Sequence, residues 1–253
     1  SLVASLVEIV SSNVRRGRAD VAIFEIGKGY GRVGAATGEW WRLGFALHGP
    51  FEVAAWNRTA RDADLGDAQG IIEHLARRLG LDAPSYVAVI DEPTLHPGRA
   101  AHVVAHDATG GMRLSGRLGE LHPDLAETWD IRGSRVIVAE LSVSGLASGR
   151  LPVPRGMVPS RYPDVERDIA VVVGHDRASG DLEGSIHSSG GTLLREVRLF
   201  DVYTGVPLAA NERSLAFRLR FAAGDRTLTE PEVDAAMADI RRGLERMGGR
   251  IRA

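Results

Sequence analysis

Gly29-Tyr30-Gly31-Arg32-Val33-Gly34 has the G-x-G-x-x-G spacing with which a strand and a tight turn present backbone amides to a dinucleotide pyrophosphate. That chemistry also needs a helix to begin at the last glycine, so that its N-terminal N–H groups meet the phosphates. Here Ala35-Ala36-Thr37-Gly38-Glu39-Trp40-Trp41 leads within a few residues into a second strand, and the segment reads as a glycine-rich hairpin. A helix directly after Gly34 would restore the alternative, a nicotinamide enzyme. His96, His102 and His106 lie close in sequence, and the last two have the i, i+4 spacing of a helical zinc pair. No Glu follows His102 as H-E-x-x-H requires, and Val103-Val104 is strand-like, which spreads positions four apart along one face. The chain has no cysteine, which removes thiolate metal sites, cysteine nucleophiles and disulfides together. There is no G-x-S-x-G elbow and no Walker loop, and the single lysine, Lys28, belongs to neither context. No catalytic or metal-binding constellation is expected in this chain.

A different chemistry is offered near the C-terminus. In Arg213–Phe221, Leu215, Phe217, Leu219 and Phe221 point to one face of a strand, and Ser214, Ala216, Arg218 and Arg220 to the other. The apolar face must meet helices, leaving an open sheet face with one hydroxyl and two guanidinium groups. Such a face can receive a single-stranded polyanion, or simply be solvated.

The elements that would position this strand read as Arg167–Gly174 (strand), Ser179–Ser188 (helix), Leu194–Val202 and Arg213–Phe221 (strands), Glu230–Met247 (helix) and Arg250–Arg252 (strand). That order, β-α-β-β-α-β, is the split βαβ or ferredoxin-like arrangement. In the last helix Val233, Ala236, Met237, Ile240, Leu244 and Met247 form one apolar stripe, Thr229 with Glu232 makes a capping box, and Gly248-Gly249 ends it. Upstream, strands are expected at 21–26, 40–47, 85–90, 101–105, 111–118 and 135–141, with a short helix near 123–129. Asp67 is expected to cap a helix with Ile71, Leu75 and Leu79 on its buried face. Between Leu146 and Pro163 four prolines cluster among Gly, Ser and Arg, as in a linker. The fold class is therefore α+β in two domains, residues 1–149 and 160–253, joined by a proline-rich linker at 150–159.

With 253 residues each domain can bury a core of its own. The longest strongly apolar run, Ile169 to Val173, is far short of the ~20 residues that cross a bilayer, so no membrane span is expected, and a cytoplasmic location is. The first residues, Ser1 to Val10, lack a basic segment and a cleavage site and read as a helix buried on two sides or meeting a partner, as though the chain were a fragment. The formal net charge is −2, and residues 160–253 hold 14 arginines against 15 acids. A polyanion on the open sheet face there would have to be held by a few well-placed side chains rather than by a basic coat.

Several strings, in order over the whole chain, resemble the bacterial phenylalanyl-tRNA synthetase β-subunit family. They are Val21-Ala22-Ile23-Phe24-Glu25-Ile26-Gly27, His96-Pro97-Gly98-Arg99, Gly116-Arg117-Leu118-Gly119-Glu120-Leu121-His122-Pro123, the block from Tyr162 to Val173, Leu199-Phe200-Asp201-Val202-Tyr203-Thr204-Gly205, Arg213 to Arg218, and Arg226-Thr227-Leu228-Thr229. The resemblance implies that residues 1–149 are the C-terminal part of a class II synthetase-like antiparallel-sheet module. That module would be inactive and would dock the α subunit, with Glu25 structural. It implies that residues 160–253 are a ferredoxin-fold anticodon-binding domain. In that family an aromatic ring stacks on the anticodon, and a serine and a C-terminal arginine contact its nucleotides; the matching positions are Tyr203, Ser214 and Arg252. Arg218 and Arg220, on the Ser214 face, join that set, and Asp201 and Arg226 are read as residues that fix the geometry. Charging of tRNA-Phe with phenylalanine would belong to an α2β2 assembly in which the α subunit uses ATP and Mg2+. The rival reading is a stand-alone ferredoxin-like regulatory or small-molecule-binding protein.

Overall fold

A computed structural model describes residues 1–18, 20–33, 36–148 and 161–252. The chain falls into two compact units, Ser1–Arg155 and Gly156–Ala253. The proline-rich segment 150–159 lies outside the described residues.

Unit 1 begins with helix α1 (Val3–Arg15) and the long hairpin β1 (Val21–Val33) and β2 (Ala36–His48), followed by the short pair β3 (Pro50–Glu52) and β4 (Arg61–Asp62). Helix α2 (Leu65–Arg78), strands β5 (Ser85–Ala88), β6 (Leu95–His106) and β7 (Met112–Leu121), helix α3 (Pro123–Thr128) and β8 (Val136–Ser142) complete it. The six long strands form one sheet in the order β1-β2-β8-β7-β6-β5, antiparallel throughout. Central strand β8 is apolar on both sides, as a strand covered on both faces must be. Val136 and Val138 pack with Leu2, Leu6, Val7 and Val10 of the α1 region, whereas Ile137, Ala139 and Leu141 pack with Ala68 and Ile72 of α2. Each of these larger side chains contributes about 1.5–3 kcal/mol on burial.

Two expectations change in detail. The cap of α2 is Asp64, three residues earlier than expected; its carboxylate accepts the Asp67 N–H at 3.0 Å, and Asp67 returns a bond to the Asp64 N–H at 2.9 Å. The helix therefore turns Ala68, Ile72 and Ala76 inward, and Ile71 is exposed. Helix α1 buries one broad stripe rather than two sides, and Ile9 is exposed.

The first two glycines of the motif lie inside a β ladder, with Gly29 paired to Trp40 and Gly31 to Gly38, and Gly34 is outside the described residues. No helix follows it: β1 continues to Val33 and β2 starts at Ala36. This removes the nucleotide reading and supplies a packing reason for the glycines. A Cβ on Gly29 would stand 2.5 Å from Arg42 Nε, and one on Gly31 2.9 Å from the Trp40 ring. Arg42 and Trp40, stacked on each other at 5.5 Å, lie across bare backbone.

Unit 2 contains β9 (Val165–Gly174), α4 (Ser179–Ser189), β10 (Leu194–Tyr203), β11 (Glu212–Phe221), α5 (Glu230–Arg246) and β12 (Arg250–Arg252). Its antiparallel sheet has the order β10-β11-β9-β12, which with the β-α-β-β-α-β sequence is the ferredoxin-like topology. One core joins Ile169, Val171 and Val173 of β9, Leu215, Phe217, Leu219 and Phe221 of β11, Leu182 and Ile186 of α4, and Val233, Met237, Ile240 and Leu244 of α5. Both helices thus lie on the same side of the sheet. No described element of unit 2 covers the other side.

Candidate nucleic-acid interface

Strand alternation and register put the expected site residues on the helix-free face of unit 2. Reading across the sheet, Tyr203 pairs with Ser214, Ser214 with Val172, and Val172 with Arg250. The next row is Asp201, Ala216, Ala170 and Arg252. Two further rows hold Arg198, Arg218 and Asp168, then Glu196, Arg220 and Glu166.

The first two rows bring Tyr203, Ser214 and Arg252 together. Arg252 reaches from edge strand β12 across the sheet to place its guanidinium 5.7 Å from the centre of the Tyr203 ring on the opposite edge. Tyr203 donates its hydroxyl to the Val206 carbonyl at 2.6 Å, which fixes the ring's direction and leaves it 39% exposed. Ser214, between the strands that supply the pair, is only 4% exposed.

Arg218 and Arg220 behave differently. Arg218 donates Nε and Nη2 to the two carboxylate oxygens of Asp168, each at 2.9 Å, with Glu166 at 3.9 Å. The Asp168 hydrogen bond raises the Arg218 pKa above its ordinary value, and Arg218 in turn lowers that of Asp168. Arg220 is held by Asp164 at 2.7 Å and by Glu196, and both raise its pKa, Asp164 first. Each guanidinium thus already faces two carboxylates. A phosphate would have to displace them, and this pairing is why so many arginines give no basic surface.

Two residues that were not expected stand on the same face. Phe200, 47% exposed, lies against Arg218 at 5.1 Å from ring centre to guanidinium. Arg198 is exposed and forms no ion pair among the described residues. The alternation of Glu196, Arg198 and Phe200 within the expected strand could have indicated both. Asp201 lies in the ladder opposite Ala216. Arg226 bonds both carboxylate oxygens of Glu232 at the start of α5, a helix-end role.

In unit 1 the face of β1 carrying Phe24, Ile26 and Tyr30, together with Trp41 of β2, is exposed, and β1 is a sheet edge. On the opposite face Glu140, 2% exposed, accepts the Leu2 N–H and lies 3.3 Å from Arg42 and 3.4 Å from Arg117. Its carboxylate pairs with both arginines, Arg117 being shared with Glu92, and anchors the start of α1. Glu25 accepts the Ser5 hydroxyl at 3.1 Å, again tying α1 to the sheet. Among the described residues no group of three or more His, Asp or Glu side chains could hold a metal.

The family model described as phenylalanyl tRNA synthetase beta chain CLM domain matches residues 1–143, over half of the chain. The chain belongs to the phenylalanyl-tRNA synthetase β-chain family. A second family model, the ferredoxin-fold anticodon binding domain, matches residues 160–252. Among curated relatives, phenylalanine–tRNA ligase β subunits from Symbiobacterium thermophilum and Moorella thermoacetica are each 39% identical over the whole chain, covering 28% and 31% of those proteins. The Bacillus subtilis β subunit is 34% identical over 97% of the chain, which covers 30% of it. The chain thus spans under a third of the length of these β-chain relatives. Family membership replaces the rival reading of a stand-alone regulatory protein.

Proposed function

We propose that this chain serves phenylalanine–tRNA ligase as part of its β subunit, holding the tRNA-Phe anticodon on unit 2 and the α subunit on unit 1. The observation that carries the first role is the helix-free sheet face of unit 2, which gathers Tyr203, Ser214 and Arg252 within a segment matching an anticodon-binding family. The half-exposed Tyr203 ring offers a stacking surface, and each stacked base contributes about 1–3 kcal/mol. Ser214 and Arg252 supply hydrogen-bond donors beside it, and Arg218 and Arg220 frame the surface from the rows behind. Because Arg252 now sits over the ring and Ser214 is covered, RNA binding requires the Arg252 side chain to swing off Tyr203 and turn its donors toward the nucleotide.

The second role is supported by the exposed apolar face of the β1 edge. Phe24, Ile26, Tyr30 and Trp41 form a patch of the kind that soluble proteins cover with a partner. In this reading residues 1–149 are the docking module, 150–159 the linker and 160–253 the anticodon module. The assembly is α2β2 and cytoplasmic, and no helix among the described residues is long and apolar enough to cross a membrane. ATP and Mg2+ are used by the α subunit. Glu140 is engaged by two arginines and a helix end, and no step of phenylalanine activation is routed through this chain.

The test is binding of tRNA-Phe to the chain at fixed low salt, with native and altered anticodons. Preference for the native anticodon is expected, and equal affinity overturns the anticodon role. Co-expression with the α subunit should give a stable complex that Phe24→Asp with Trp41→Asp abolishes; an undiminished complex overturns the docking face.

A further inference from the structure

We propose that Phe200 and Arg198 form a second nucleotide subsite on this face, a stacking ring beside a phosphate-binding arginine, with Arg218 as the positioning residue beneath the ring. This rests on the RNA reading above and extends it to residues outside Tyr203, Ser214 and Arg252.

The first support is the backbone. The β10–β11 register passes from Leu199 opposite Phe217 to Asp201 opposite Ala216, so Phe200 is the extra residue of a β-bulge. A bulge re-aims a side chain. Alternation from Arg198 aims Phe200 at the face carrying Arg218, away from Leu199, and the bulge keeps Asp201 on that same face instead of sending it toward the core. Folding gains little from a phenylalanine left 47% exposed, whereas a ligand that stacks can use it.

The second support is charge. Arg218 is fixed by its fork on Asp168, so the ring rests on a stationary guanidinium rather than a mobile one. Arg198, in register with Arg218 and two residues before Phe200, forms no ion pair among the described residues, whereas Arg218 and Arg220 each face two carboxylates. Single-strand binders combine an aromatic for the base with a cation for the backbone, and Arg198 and Phe200 are that pair. The row of Arg218 lies four residues along β11 from that of Ser214, roughly 13 Å at about 3.3 Å per residue. The subsite therefore takes a different nucleotide from the one at Tyr203.

The experiment uses the 253-residue chain and the anticodon stem-loop of tRNA-Phe with 2-aminopurine placed in turn at each loop position. Phe200→Leu keeps the apolar bulk and should leave the thermal midpoint unchanged. It should weaken binding about 5- to 150-fold, the equivalent of one lost stack, and unquench the probe at a position other than the one released by Tyr203→Leu. Phe200→Trp should restore both. Arg198→Ala should reduce the slope of log affinity against log salt by about 0.7. Wild-type affinity and probe signal in Phe200→Leu, with anticodon discrimination intact, overturn this subsite and leave the anticodon reading standing. An unchanged slope in Arg198→Ala removes the phosphate contact. A wild-type chain that does not discriminate anticodons overturns both proposals.

Discussion

The guanidinium of Arg252 stands 5.7 Å from the centre of the Tyr203 ring although the two residues occupy opposite edge strands of a four-stranded sheet. Three inter-strand steps of about 4.8 Å separate them by roughly 14 Å, so both side chains must lean inward over the sheet. They can do so because the positions between Arg252 and the ring in its own row are alanines, Ala170 and Ala216, with Ser214 and Val172 in the row alongside. The same geometry accounts for a serine that is on an open face and yet nearly inaccessible.

A double-mutant cycle with Arg252→Ala and Tyr203→Leu should show a coupling of about 0.5–1 kcal/mol in the unfolding free energy of unit 2, the size of an exposed cation–π contact. Urea denaturation of the four proteins measures it, and strict additivity would contradict the contact. RNA affinity should fall in both single variants by more than this coupling, because Tyr203 also loses its base stack.

Ala216→Leu separates the contact from the residues that make it. A leucine on this face can fold without entering the core, so stability should fall by no more than the about 0.5–1 kcal/mol of the lost contact. The branched side chain would block the path of Arg252, so the Tyr203 ring resonances should move and RNA affinity should drop with Tyr203, Ser214 and Arg252 all in place. Unchanged ring resonances would mean that Arg252 reaches Tyr203 by another route.

Gly116 of unit 1 has no room for a side chain. A Cβ there would strike the Glu140 carbonyl and lie 2.7 Å from the Leu141 Cα, both backbone of the neighbouring strand. Side-chain repacking cannot relieve such a clash, so β7 and β8 must separate where the two cores of unit 1 meet. Gly116→Ala should cost roughly 1–3 kcal/mol or more. Gly70→Ala, with nothing near its Cβ, should be neutral or stabilising. Equal melting temperatures for the two variants would refute this account of the strand pair.

How much of this was legible in the sequence follows from what each signal depends on. The order of elements in unit 2 was readable because its strongest patterns are local, namely the period-two alternation of Arg213–Phe221 and the helical stripe from Val233 to Leu244. The cap of α2 was misplaced because Asp64 and Asp67 bond each other reciprocally, and the sequence does not say which is N-cap and which is N3. The glycines of β1 were readable as a hairpin, but not their purpose, since Arg42 and Trp40 come from the partner strand and reach them only once the register is set. The state of Arg218 and Arg220 was hidden for the same reason: Asp168, Asp164 and Glu196 are 24 to 56 residues away and meet them only through β9 and β10. The bulge at Phe200 leaves no mark in the alternation that would separate it from a regular strand.

The start of α5 supplies a pH test. Glu232 accepts bonds from Arg226 and from both the N–H and the hydroxyl of Thr229. These bonds, that of Arg226 first, hold its carboxyl at about 2, below the ordinary 4.5. A carboxylate whose pKa is depressed in the folded state stabilises that state above the unfolded value and ceases to do so as pH falls through the folded one. The contribution of Glu232 should therefore be complete above about pH 4.5 and fade between there and about 2. Asp168 is also depressed, by Arg218, so the whole-protein melting curve mixes at least two groups. The difference between wild type and Glu232→Gln isolates one. Their thermal midpoints should differ at neutral pH and converge as the solution is acidified across that window. A carboxyl carbon titration of Glu232 should give a midpoint well below 4.5, and a midpoint at the ordinary value would show that the Arg226 and Thr229 bonds do not persist in solution.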